Sequence, residues 1–214
     1  MNPLNYFWTW FNDNQKHFLN YLQLSPKLQK HYTFWLEWHL NYYSKGVNYV
    51  MVFSKRKDQN AKLIITANGN PDFFDKVEAV VAAAPRFSNW EIIAFVQPSA
   101  KIDEMIDGLD KPFIFQDISL KASEVKFEPI EYENTKKIDM IIYLKYQTIQ
   151  ADYKDLMQVV YIMVESILGE KFLHENINFV QLAQLTDKNA GDILELYDLQ
   201  LFIEELNMQR LLDR

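Results

Sequence analysis

The sequence predicts an α+β fold, in which a mixed, mostly antiparallel sheet is covered by helices. Apolar residues recur at helical spacing in several segments, and short apolar runs between turn residues indicate strands. The order strand, strand, helix, strand occurs twice, over residues 47–97 and 124–185. We therefore expect two ββαβ-like halves, preceded by an N-terminal pair of aromatic-rich helices and closed by a C-terminal helix.

The length and composition favour one folded domain. The chain has 214 residues, of which 49% are hydrophobic, enough to bury a substantial core. No linker rich in Pro, Gly or Ser interrupts it. We therefore expect a single compact domain over residues 1–214, with a helix pair in 1–46, a first ββαβ unit in 47–108, and a second unit plus the last helix in 109–214.

The N-terminal pair is predicted as helices over residues 3–24 and 26–44, separated at Ser25-Pro26, a helix-start signal. One apolar stripe of the first helix contains Leu4, Phe7, Trp8, Phe11, Phe18 and Leu22. The second helix has an apolar face with Leu28, Tyr32, Trp35, Leu36, His39 and Tyr43, and a separate stripe with Phe34, Trp38 and Tyr42. A helix with two apolar faces is either sandwiched in the core or part of an interface.

The remaining elements follow from apolar runs and their breakers. In the first half, we expect strands over 47–53, 61–67 and 90–96, with a helix that ends before Pro85. In the second half, the segments 113–120 and 124–132 are predicted as extended, followed by a strand over 138–146. A helix over 153–168, a strand over 177–185 and a helix over 192–212 complete the prediction.

The turn Asn68-Gly69-Asn70-Pro71 joins a predicted strand to a predicted helix, which is also the arrangement of many phosphate sites. Neither G-x-G-x-x-G nor G-x-x-x-x-G-K-[ST] is present. Acidic residues at 72 and 75 would repel a phosphate from the start of the helix. We interpret the turn as structural, with Gly69 at positive φ, Asn70 as the cap and Pro71 in the first helical position.

The residue types exclude several chemistries. The absence of cysteine removes disulfides, thiolate metal sites and cysteine nucleophiles. Histidine is found at 17, 31, 39 and 174, without an H-E-x-x-H motif, and no G-x-S-x-G motif is present. Paired acids are common, but spacing alone does not show whether any two converge. We therefore predict no catalytic, cofactor-binding or metal-binding residues and no cofactor.

The charge distribution argues against nucleic acid as a partner. The net charge is −7, with +1 over residues 1–107 and −8 over 108–214. A duplex-binding protein needs a basic footprint, and the one compact basic cluster is Lys55-Arg56-Lys57. No leader segment or membrane-spanning run is apparent, so we expect a cytoplasmic protein without a membrane partner.

Residues 62–98 resemble a segment found in uncharacterised bacterial proteins. The matching positions are Ala84-Pro85, Trp90, Ala94-Phe95 and Pro98. The resemblance covers about a sixth of the chain, and implies no catalytic residues. Some proteins of this general size and style are immunity or accessory proteins beside bacterial toxins, which slightly favours a binding role.

Two functional hypotheses remain open. The first is a non-catalytic bacterial interaction or regulatory protein, accessory or immunity-like, which binds a protein partner or a second copy of itself through a surface. Its candidate surface residues are Trp8, Trp10, Phe34, Trp38, Tyr42, Asp198 and Glu205. The alternative is a small-molecule-binding protein or enzyme with a carboxylate-based site between sheet and helices. The other interpretation, which is favoured because helices with such broad apolar surfaces normally need cover, is that the aromatic residues of the helix pair fill the core.

Overall fold

The chain forms two compact units, Met1–Val96 and Gln97–Arg214. The structure, a computed structural model, describes residues 2–53, 59–133, 135–186 and 193–212. The basic cluster Lys55-Arg56-Lys57 lies outside the described residues. The organisation of residues 1–214 as a single domain stays a prediction.

The first unit contains a ββαβ motif after a pair of helices. Its elements are α1 (Pro3–Leu19), α2 (Pro26–Tyr43), β1 (Asn48–Val52), β2 (Ala61–Thr66), α3 (Phe74–Ala82) and β3 (Trp90–Ala94). Strand β1 is antiparallel to β2, and β2 is parallel to β3, which it reaches through α3. The structure therefore confirms the predicted order and the N-terminal helix pair.

The corner between β2 and α3 has the predicted structural form. Asn68 and Gly69 have φ values of 50° and 74°, in the left-handed region that asparagine and glycine tolerate best. The side-chain oxygen of Asn70 accepts a hydrogen bond of 3.1 Å from the backbone N–H of Asp72. Pro71 begins a short 3₁₀ turn that leads into α3. Hydrogen bonds within the chain therefore cap this corner, as expected of a structural turn.

Aromatic rings of α1 form much of the core of the first unit. Phe7, Trp8, Phe11 and Phe18 are all buried, as the predicted stripe requires. Leu22 is exposed because α1 ends at Leu19, and residues 21–23 form a 3₁₀ turn. The rings pack with Leu63 and Ile65 of β2 in one apolar cluster, so β2 is buried between its neighbours.

The second unit repeats the ββαβ order in a four-stranded sheet. Its elements are α4 (Ile102–Ile106), β4 (Phe113–Phe115), β5 (Ile118–Leu120), β6 (Lys126–Ile130), β7 (Ile138–Leu144), α5 (Tyr146–Ile149), α6 (Tyr153–Leu168), α7 (Glu170–Asn176), β8 (Ile177–Gln184), β9 (Leu194–Glu195) and α8 (Leu199–Leu212). The strand order is β8-β7-β6-β9, with β6 antiparallel to β7 and β7 parallel to β8. The mixed sheets confirm the predicted α+β class.

Two boundaries in the second unit differ from the prediction. The segment 113–120 is a hairpin of β4 and β5 rather than one extended strand, because Gln116 has a φ of 51° and reverses the chain. The final helix begins at Leu199 rather than near residue 192. Residues preceding it form β9 and a 3₁₀ turn, since Leu196 donates its backbone N–H to the Val125 carbonyl at 3.0 Å. Tertiary pairing therefore replaces the first predicted helical turns.

The core of the second unit forms between β7 and α6. Strand β7 buries Ile138, Met140 and Ile142 on one face, and α6 buries Val160 and Val164 in the same cluster. Gly169, at a φ of 74°, ends α6 as predicted. This packing supports the α7, β8 and α8 segments that surround it.

The two edges of this sheet differ. On one side, the described residues of β9 pair with β6 at Lys126 and Phe127, and Pro129 lies just beyond that pairing. On the other side, among the described residues, β8 is the outermost strand, eight residues long. Residues 177–186 carry no Lys, Arg, Asp or Glu, and Phe179 is exposed.

Gly46 is predicted to be essential for the packing of the first unit. A Cβ atom at Gly46 would lie 2.3 Å from ring carbons of Phe73. We expect Gly46→Ala to lower the free energy of unfolding by about 1–3 kcal/mol in urea denaturation, because the ring must move out of its site. In a Phe73→Ala background, which removes every ring carbon including Cγ, the same substitution should cost much less. Equal costs in both backgrounds would contradict this explanation.

Candidate functional site

The seven residues of the predicted interaction surface have different environments. Phe34, Trp38 and Tyr42 are exposed (55%, 42% and 61%), as is Glu205, whereas Trp10 and Asp198 are half-buried and Trp8 is buried. Of these seven, the structure brings together the three exposed residues of α2. Asp198 and Glu205 belong to the second unit.

The assignment of Trp8 to the surface is wrong. Its side chain is 3% exposed and its indole N–H donates a hydrogen bond of 2.9 Å to the Val80 carbonyl. Its ring packs against Phe7 and Phe11 of the same helix. Because its ring is buried and its indole N–H has a hydrogen-bond partner inside the first unit, Trp8 is a core residue.

The exposed rings of α2 form one continuous patch. We call Phe34, Trp35, Trp38 and Tyr42, together with Tyr6 of α1, the aromatic face of α2. Successive ring centroids along α2 lie 5.4 Å, 5.6 Å and 5.6 Å apart, and the rings of Trp38 and Tyr42 are stacked within 8°. Tyr6 meets Tyr42 at 6.5 Å. The spacing of four residues from 34 to 38 to 42 places these rings in one row.

The opposite side of α2 holds this face in position. Leu36 and Leu40 are buried in the core of the first unit. Since α2 is fixed through these residues, its aromatic face stays on the surface as a preformed structure. The sequence showed both stripes, but Leu28 and Trp35 of the first stripe are exposed in the structure, and the buried positions of α2 are Leu36, His39 and Leu40.

A buried histidine lies beneath the aromatic face. His39 is 3% exposed, and its ring centroid lies 4.5 Å from that of Trp10 and 5.0 Å from those of Tyr6 and Trp38. Its Nδ1 atom has no hydrogen-bond partner among the described residues. Burial among these rings lowers the pKa of His39 below its usual value. His39 is therefore a neutral part of the packing at physiological pH.

Positive charge borders the aromatic face. Lys27 and Lys30 precede Phe34 by seven and four residues, which places them on the same side of α2, and both are exposed. Lys45 follows α2 and is exposed as well. Glu37 is the one acidic residue in the α2 sequence. The face therefore combines aromatic surface with a local excess of positive charge.

The exposed side of α8 combines acidic and apolar residues. We call Leu201, Glu204, Glu205, Met208 and Leu211 the outer face of α8; all five are exposed. Arg210, the one basic residue of α8, donates to the Lys136 carbonyl at 2.7 Å and lies 3.4 Å from Glu131. The sequence predicted the acidic residues of this helix, but not that apolar side chains would accompany them.

A cavity of about 1040 Å³ lies in the second unit, between the β6–β7 connection and helices α7 and α8. Its described lining comprises Glu131, Tyr132, Glu133, Thr135, Lys136, Phe172, Glu175, Asn176, Asn207, Arg210 and Leu211. Three carboxylates and two basic side chains therefore share the site. Asn207 donates to the side-chain oxygen of Asn176 at 3.0 Å, which joins α8 to α7. Glu131 and Glu133 form one of the acidic pairs in the sequence, but their spacing did not show that Glu175, Lys136 and Arg210 lie beside them.

A second polar cluster connects α6 and α7. The hydroxyl of Tyr161 lies 2.5 Å from Nε2 of His174, and burial raises the pKa of Tyr161 to about 12. Burial also lowers the pKa of His174. The pKa of Glu165 is raised by burial and by the negative charge of Glu170, which is fully buried. The sequence around His174 gave no sign of this cluster.

Within the ranges that the structure describes, no group of three or more His, Asp or Glu side chains is arranged to hold a metal ion. In the same part of the chain, every helix is too short or too polar to cross a lipid bilayer.

No protein-family model, curated protein or solved structure matches the chain. The resemblance of residues 62–98 therefore assigns no role to any residue. The function has to be inferred from the geometry of the aromatic face, the outer face of α8 and the cavity.

His39 is predicted to make stability sensitive to acid. Because its pKa is lowered in the folded state, the unfolded state binds protons more readily, and stability should fall as pH drops below about 6.5. We expect His39→Leu to lose less stability than the wild type between pH 7.5 and pH 5.5, as measured by urea denaturation. His174 is present in both proteins, so its contribution cancels in the comparison. The same loss in both proteins would contradict this role.

Proposed function

We propose that the protein is a non-catalytic interaction or regulatory protein that binds a protein partner through the aromatic face of α2. The observation that supports this proposal is the continuous exposed row of rings from Phe34 to Tyr42. Contiguous apolar patches of this kind are characteristic of binding sites, and Trp and Tyr are enriched among the residues that dominate binding energy.

The available binding energy is appreciable. Burying an aromatic side chain removes about 150–250 Å² from water, at about 25 cal/mol per Å². Because about half of each side chain of Phe34, Trp38 and Tyr42 is already exposed, covering one of them contributes roughly 2–3 kcal/mol. Their fixed positions on α2 reduce the entropy lost on binding.

The chemistry of the face favours an acidic amphipathic helix as the partner. A helix that lies along α2 can place apolar side chains between the rings at an interaxial distance of about 8–10 Å. Acidic residues on its flank would meet Lys27 and Lys30 at one end and Lys45 at the other. These charges would orient the partner and speed its association at low salt.

Binding of a designed peptide tests the proposed partner chemistry. The probe is a labelled helical peptide with Leu at positions i, i+3, i+4 and i+7 and Glu elsewhere; its control has Lys in place of Glu. We expect fluorescence anisotropy to show at least about tenfold tighter binding of the acidic peptide, because the basic one is repelled by the lysines. Replacing both Phe34 and Trp38 by Ala should weaken binding by at least about tenfold.

Leu22→Ala is the matched control for these substitutions. Leu22 is an exposed apolar residue of the first unit that lies outside the aromatic face, so its removal should leave peptide affinity unchanged. Thermal unfolding of each variant establishes that the fold is retained. Equal affinity for the acidic and basic peptides, or no effect of the double substitution, would argue against the proposal.

The cavity of the second unit supports a second candidate function, the binding of a small amine. Glu131, Glu133 and Glu175 outnumber Lys136 and Arg210 in its lining, and Glu131 already lies beside Arg210. Phe172 and Leu211 add apolar surface. A ligand with an aliphatic chain and ammonium groups matches this combination, as a carboxylate-based site between sheet and helices requires.

Calorimetric titration with spermidine tests the second candidate. We expect Glu133→Gln combined with Glu175→Gln to weaken spermidine binding by roughly threefold to thirtyfold, because each exposed ion pair contributes up to about 1 kcal/mol. Asp107→Asn combined with Asp117→Asn is the control, since it removes the same charge from exposed residues outside the cavity. Equal weakening by both pairs would indicate attraction to the general negative charge and not a site.

A further inference from the structure

The outer face of α8 has the chemistry expected of the proposed partner helix. Leu201, Glu204, Glu205 and Met208 follow the i, i+3, i+4, i+7 spacing that places residues on one side of a helix. Leu201, Met208 and Leu211 are 56%, 57% and 69% exposed. A helix face that combines exposed acidic and apolar residues is therefore part of this same chain.

The charges of the two units are also complementary. Residues 1–96 contain 10 Lys and Arg against 7 Asp and Glu, a net charge of +3. Residues 97–214 contain 12 Lys and Arg against 22 Asp and Glu, a net charge of −10. Two copies attract each other when the first unit of one faces the second unit of the other, and they repel each other when like units face.

The dimensions of the two faces agree. At a rise of about 1.5 Å per residue, Leu201 and Leu211 lie about 15 Å apart along α8, and Phe34 and Tyr42 lie about 12 Å apart along α2. Phe34 follows Lys30 by four positions, and Met208 follows Glu204 by four positions. In a parallel arrangement that places Glu204 beside Lys30, Met208 therefore lies beside Phe34, and the last residues of α8 lie along the first half of the aromatic face.

We propose that the aromatic face of α2 binds the outer face of α8 of a second copy of this chain. The proposal rests on the proposed function and names the partner of its binding surface. The contact is heterologous, because one copy contributes α2 and the other contributes α8. It buries exposed apolar residues of both helices and pairs Lys27 and Lys30 with Glu204 and Glu205.

Self-association of charge-reversed variants tests this inference. We expect sedimentation velocity at low salt to show a mass that rises with concentration above the 25.5 kDa of one chain. Lys27→Glu with Lys30→Glu, and separately Glu204→Lys with Glu205→Lys, should each remain monomeric where the wild type associates. All four residues are exposed, so these substitutions should change stability by less than about 0.5 kcal/mol each.

Mixing the two variants provides the decisive comparison. The first variant keeps an acidic α8 and the second keeps a basic border on α2, so an equimolar mixture should associate when neither variant does so alone. A wild-type chain that stays monomeric throughout its soluble range, or a mixture that stays monomeric, would overturn the inference. If the chain is monomeric but binds the acidic peptide, this inference fails and the proposed function stands; if it does neither, both fail.

Discussion

The packing around Phe11 is the interaction on which the N-terminal unit depends. This fully buried ring lies within about 6 Å of five other rings: Phe7, Trp8, Phe18, Phe87 and Trp90. Because these rings come from α1, from β3 and from the segment before β3, the cluster fixes the helix against the sheet. Helix α2 then packs on α1, and the arrangement leaves one side of α2 without cover. Because the rings of α1 already fill the core, the aromatic side chains on the uncovered side of α2 remain at the surface.

Much of the fold could be predicted because its boundaries are encoded locally. Pro71, Pro85 and Gly169 interrupt apolar runs at positions where the backbone requires those residue types. The twofold ββαβ order followed from the resulting segments and is present in both units. Where the local signal was overridden, a distant partner was responsible: the pairing of β9 with β6 and the bond from Leu196 to Val125 shorten the final helix.

The candidate sites were much less predictable, since they depend on which surfaces the folded chain covers. Trp8 and Trp38 occupy similar helical patterns, yet one donates to Val80 in the core and the other is exposed. The cavity and the Tyr161–His174 pair bring together residues from separate elements, and the periodicity of the sequence carries no information on contacts between elements. Sequence spacing identified candidate residues on α2; only the three-dimensional packing separated ring residues of the core from those of the surface.

The unequal edges of the four-stranded sheet limit how far this sheet could grow. On one side the terminal strand β9 has two residues, and Pro129 of β6 has no N–H to offer an incoming strand. On the other side β8 is long and uncharged, as aggregation-prone edges are. Two copies that joined through β8 would use the one long edge of each sheet. Among the described residues the opposite edge offers β9 and Pro129 and no second long strand, so pairing through β8 would join two sheets and stop there.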